Sequence, residues 1–81
     1  ARRPARGGYR PIDITDAIRH CRRDLGRWPT EWEYLEWATL RRHLARQAGQ
    51  PPPHLPAAGP IRRLYHQYHA ALSAAQQAEA A

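Results

Sequence analysis

Two adjacent arginines, Arg62 and Arg63, stand inside the segment LPAAGPIRRLYHQYHAAL that covers residues 55–72. Guanidinium groups are built for polyanions. They make paired hydrogen bonds to phosphate oxygens and to the O6/N7 edge of guanine, and they stack on bases. Ile61, Leu64, Tyr65 and Tyr68 recur at i, i+3, i+4 and i+7, which is one face of a helix. The two arginines point away from that face. A short helix held by its apolar side would show both of them outward, with His66 just beyond, and such a helix can be laid into a DNA groove. The same pattern also suits a basic face that is merely solvated.

Other chemistry is poorly supplied. His66 and His69 would bring two imidazoles within one turn of a continuous helix, and Cys21 and His43 could join them. No second closely spaced pair exists, whereas structural zinc sites usually have two. No metal or other cofactor is expected. No Ser/His/Asp order, glycine-rich phosphate loop or HExxH motif is present. Glu31, Glu33 and Glu36 have the spacing of an ordinary helix start, so the chain is expected not to be an enzyme. His20, His43 and His54 are read as surface groups.

The arginines need a scaffold, and the chain has 81 residues to provide it, enough for one small domain. Its net charge is +6 and all 13 basic residues are Arg. A GC-rich genome would also favour Arg and Ala codons, so the missing Lys is only half an argument. The charge is unevenly placed. Arg2, Arg3, Arg6 and Arg10 meet no acid in the first ten residues, whereas residues 31–50 balance three Arg against three Glu. Residues 1–11 are therefore read as a flexible basic arm that could follow DNA backbone or enter a minor groove, or else as a leader without a role. Residues 12–81 are read as a single helical DNA-binding domain. There is no Met, so Ala1 is not expected to be a natural start, and the chain is expected to be a piece of a longer protein or one trimmed at its start. No run approaches the ~20 apolar residues of a membrane span, and no signal peptide is visible. A lone cysteine, Cys21, excludes an internal disulfide and fits a reducing compartment; a cytoplasmic location, nucleoid-associated if prokaryotic, is expected.

The fold class expected is all-α, with three to four short helices in a helix-turn-helix-like bundle behind the basic arm. Helix one should run from about Ile14 to Leu25. Asp13 is read as its N-cap and Gly26 as its left-handed C-terminal cap. Ile14, Ala17, Ile18, Cys21 and Leu25 form its apolar stripe, with Arg19, Arg22 and Arg23 off it. Thr30 and Glu33 make a capping box that opens helix two, which can continue to about Ala48. Tyr34, Trp37, Ala38, Leu44, and less clearly Leu35 and Leu40, are its core candidates. Trp28 and Trp37 are placed in the core; Trp32 lies off that face, either packed under arm or linker or exposed for a partner. Three prolines at 51–53 make a stiff link, and Leu55 should tuck into the core. Helix three is expected from about Ala58 to Tyr65, a turn at His66-Gln67, and a fourth helix from about Tyr68 to Ala78.

In this order the signals resemble the homing-endonuclease-associated repeat, a small helical DNA-binding module. The likeness lies in Ala17-Ile18-Arg19, Leu25-Gly26-Arg27-Trp28-Pro29-Thr30, Glu33-Tyr34, Leu55-Pro56, Ile61-Arg62-Arg63, Tyr65, Tyr68 and Ala70-Ala71-Leu72, across about residues 14–75. Gly59-Pro60 stands where that family tends to carry hydroxyl residues, His66-Gln67 replaces its usual Gly-Ser turn, and the stretch from Trp37 to Pro53 looks longer. The resemblance implies DNA contacts from the third helix, with Arg62 and Arg63 as contact residues. That family is found beside nuclease domains and in transcription regulators and mobile elements, so the resemblance does not fix the biological role; a regulator or targeting module of a larger protein is expected. Arg19, Arg22, Arg23 and the arm arginines Arg2, Arg3, Arg6 and Arg10 would neutralise flanking phosphates. Two other readings remain open: a protein-interaction or self-association module using Trp32, Tyr9 or the Ala-rich fourth helix, and binding of structured RNA.

Overall fold

In a computed structural model, residues 8–80 are described. They form four helices: α1 (Pro11–Leu25), α2 (Glu31–Gln47), α3 (Ala58–Tyr65) and α4 (Tyr68–Ala80). No strand occurs among the described residues, and the chain is all-α.

α1 starts three residues before the expected Ile14. Pro11 takes the first helical position, where its missing N–H costs nothing. Asp13 is therefore not the N-cap. It is the third residue of the helix, within its first turn, and accepts a 2.7 Å hydrogen bond from the backbone N–H of Arg10, which is the capping residue. That bond, then the Arg10 side chain, hold the Asp13 carboxyl below its usual range. Gly26 ends the helix at φ 81°, and its N–H closes on the Arg22 carbonyl.

α2 opens as its capping box requires. Thr30 Oγ1 accepts from the Glu33 N–H at 3.2 Å, and the Glu33 carboxylate accepts from the Thr30 N–H at 3.0 Å. Arg27 closes on the same carboxylate with two parallel bonds, one of 2.7 Å. These partners, the guanidinium first, hold Glu33 down to about 2.

The core draws on all four helices. Ile14, Ile18 and Cys21 come from α1, Tyr34, Trp37 and Ala38 from α2, Ile61 from α3, and Tyr68, Ala71 and Ala75 from α4. Leu55 closes the cluster from the linker at 5 % exposure, as expected. Small residues on α4 let it lie closely along α1, its main partner. The buried Cys21 thiol is raised to about 12 by loss of solvent. Leu44 and Leu40, expected inside, are 48 % and 52 % exposed, and Leu25 is 39 % exposed. α2 is longer than the core it covers, so leucines on its flank and last turns have nothing to pack against.

Two tyrosines tie the irregular segments to this core. The Tyr34 hydroxyl donates to the Pro56 carbonyl at 2.7 Å, and the Tyr68 hydroxyl donates to the Pro29 carbonyl at 2.8 Å. Both bonds are buried, and burial raises both hydroxyls above the ordinary tyrosine range. The first bond fixes the chain just before α3; the second fixes the entry to α2. No helix among the described residues is long and apolar enough to cross a membrane.

Candidate nucleic-acid interface

α3 has the expected limits, Ala58 to Tyr65. Ala57 is its N-cap and offers no side-chain acceptor, so the start relies on Pro60 in the first turn and on the Tyr34 anchor upstream. Ile61 is its buried residue, at 1 % exposure, with Leu64 and Tyr65 half-buried beside it. Arg62 and Arg63 are exposed on the other side. Arg62 Nη2 lies 3.4 Å from Glu31 Oε2 at the start of α2, with side chains 65 % and 39 % exposed. A solvated pair of this kind is worth only about 0–1 kcal/mol, so it leaves Arg62 available to a stronger anion.

The helix ends in a strained turn. His66 has φ 69° and ψ −42°, the sole positive φ at a non-glycine among the described residues. Its N–H reaches the Arg62 carbonyl at 2.9 Å, and the Gln67 N–H reaches the Tyr65 carbonyl at 2.7 Å. A bond from i+2 back to i around such a residue makes a classical γ-turn, which is rare and costly for a side chain with a Cβ. The sequence shows only that a turn belongs here; nothing in it marks the positive φ at His66. The turn gathers Arg62, His66, Gln67 and His69 with Glu31 around a shallow depression over Tyr68. His66, Gln67 and His69 are exposed.

No protein-family model, no curated protein and no solved structure matches this chain.

The remaining expected contact residues are dispersed. Arg19 Nε donates to Glu79 Oε1 at 2.8 Å, and Arg22 Nη1 to Glu79 Oε2 at 3.4 Å. The Arg22 guanidinium also stacks 4.8 Å over the Trp28 ring. These two arginines thus clamp the far end of α4 to α1, and Trp28 is half-buried under one of them. Arg23 is exposed, beside a depression it shares with Asp16, Arg19, His20 and His54. Arg10 is the capping residue of α1, 3.4 Å from Asp13, and so belongs to the helix start rather than to a loose arm. Arg2, Arg3 and Arg6 lie outside the described residues. Among the described residues, no three His, Cys, Asp or Glu side chains are placed to hold a metal ion.

The linker makes its own contacts with α1. His54 Nε2 is 3.6 Å from Asp13, and its ring lies 4.6 Å from that of Tyr9. Trp32, on α2, is 68 % exposed.

Proposed function

We propose that this chain is a double-stranded-DNA-binding module that offers α3 and the following turn to the major groove. The observation that carries this reading is the two-sidedness of α3: Ile61 is sealed in the core while Arg62 and Arg63 are exposed behind it. Eight residues at 1.5 Å each make a rod of about 12 Å, comparable with the width of the major groove. His66, Gln67 and His69 extend the same surface with groups that can bond phosphate oxygens or base edges. The likeness of the LGRWPT, LP and IRR segments to the homing-endonuclease-associated repeat supports the same reading. On it, the module directs or regulates a larger protein. Arg19 and Arg22 serve mainly to fasten α4, and the phosphate-neutralising role passes to Arg23 and the residues before α1.

The test is duplex binding by the full chain, followed by fluorescence anisotropy across a salt series. Each phosphate contact contributes about 0.9 to the slope of log K against log salt. R62A/R63A should lower that slope by about 1–2 and weaken binding at every salt concentration, with helicity unchanged. Unchanged affinity in the double variant would overturn the α3 reading, and loss of binding only on deletion of residues 1–7 would assign it to that segment instead.

A further inference from the structure

The outward side of α2 carries a stripe that the core does not use. Trp32, Glu36, Thr39, His43 and Arg46 succeed one another at spacings of four, three, four and three, the seam period of paired helices. All five are exposed, and Leu40 and Leu44 run exposed along one flank. The other charges of α2 have internal partners: Glu31 meets Arg62, Glu33 meets Arg27, Arg41 meets Asp24, and Arg42 donates to the Leu55 carbonyl. Among the described residues, Glu36, His43 and Arg46 have no ion pair, and Trp32 has no ring contact. The uncommitted charges of α2 are thus the ones on this stripe.

Their order is self-complementary. The acid lies in the first half, the bases in the second, and Thr39 lies midway between Trp32 and Arg46. We infer that α2 is a dimerisation face whose partner is α2 of a second copy, running antiparallel about a two-fold axis at Thr39. In that register Trp32 of each copy is level with Arg46 of the other, a guanidinium over an indole, and Glu36 comes within one residue, about 1.5 Å of helix rise, of level with His43. A parallel arrangement would stack like on like. Antiparallel helices also set opposite dipole ends together. One helix per partner buries far less than the roughly 1,600 Å² of a standard stable interface, so the pairing is weak and reversible, with apparent mass rising with concentration. It is independent of the DNA reading, since it uses the opposite face of α2 from the core and no residue of α3.

Sedimentation equilibrium on the full chain over a wide concentration range reads the association directly. E36R places cations against His43 and Arg46 of the other copy and should weaken dimerisation at least about tenfold. E36R/H43E, which exchanges the charges, should recover most of the loss. Thr39→Cys, at the axis, should form an intermolecular disulfide much faster than Ser73→Cys on the exposed side of α4. All four positions are exposed, and far-UV circular dichroism checks that each variant is folded. A mass that stays monomeric at every concentration would overturn the proposal and leave this face to a different chain. A dimer indifferent to E36R, one not recovered by E36R/H43E, or equal cross-linking at positions 39 and 73 would equally overturn it.

Discussion

Tyr34→Phe removes one oxygen from the centre of the molecule, and its cost can be worked from the surroundings. Tyr34 is fully buried, and its hydroxyl donates at 2.7 Å to the carbonyl of Pro56, which is itself buried. Residue 60, one turn further on, is proline and has no N–H to offer that carbonyl. The substitution therefore removes the hydrogen bond and strands a buried acceptor, and the expected loss, toward the upper end of the range for such a group, is about 2–3 kcal/mol. A domain of this size holds roughly 4–12 kcal/mol in all, so the change is a large fraction of the total. Thermal unfolding followed at 222 nm should show Tm falling by roughly 10–20 °C, at roughly 4–8 °C per kcal/mol. Urea unfolding should show a lower midpoint with an unchanged slope, because the surface exposed on unfolding is the same. Tyr65→Phe is the control, since its ring is only half-buried and its hydroxyl makes no hydrogen bond among the described residues; it should cost less than about 0.5 kcal/mol. A Tyr34→Phe Tm within experimental error of the parent would refute the view that this bond fastens the linker in front of α3.

Two further outcomes follow from the same geometry. His66→Gly relieves a backbone conformation that glycine adopts freely, so it should raise stability by about 1 kcal/mol. It should also weaken duplex binding, because the ring leaves the surface beside Arg62; paired thermal melts and anisotropy titrations check both directions. At high pH the protein should unfold cooperatively. Burial lifts the Cys21 thiol from 9.0 to about 12 and raises the hydroxyls of Tyr34 and Tyr68 above 10.0. Each group gives up its proton more easily in the unfolded chain. The stability they confer is therefore whole below about pH 9 and drains away as pH rises toward the folded-state values. Tyrosinate absorbance at 295 nm for these two rings should appear together with the loss of helix, not before it.

Much of the architecture is legible in local signals, because those signals are chemical and short-range. Thr30 and Glu33 satisfy each other's amides wherever they occur three apart at a helix start, and α2 begins where they say it does. Gly26 supplies a positive φ, and α1 stops there. Ile61 and Tyr68 lie inward as their periodicity requires. The failures lie where a choice between equivalent local devices is made by distant parts of the chain. Pro11 and Asp13 can each begin a helix; the Arg10 amide resolves the choice in favour of Pro11. Leu40 and Leu44 are spaced at helical period from the core residue Trp37, but the side of α2 that packs inward runs through Tyr34, Ala38, Arg42 and Ala45 and leaves both leucines about half exposed. Arg19 and Arg22 look like free cations until α4 brings Glu79 across from the far end of the chain. Their separation of nearly sixty residues leaves no trace in sequence spacing. His66 carries no glycine signature, so the strained turn that shapes the candidate interface is invisible before the fold is known.

A ¹H–¹⁵N NMR titration of the full chain with a short mixed-sequence duplex addresses DNA recognition most directly. The largest shifts and line broadening should fall on Arg62, Arg63, His66, Gln67 and His69, while Trp32, Leu40 and Leu44 stay in place. Shifts confined to residues before α1, or centred on the outer surface of α2, would contradict recognition by α3.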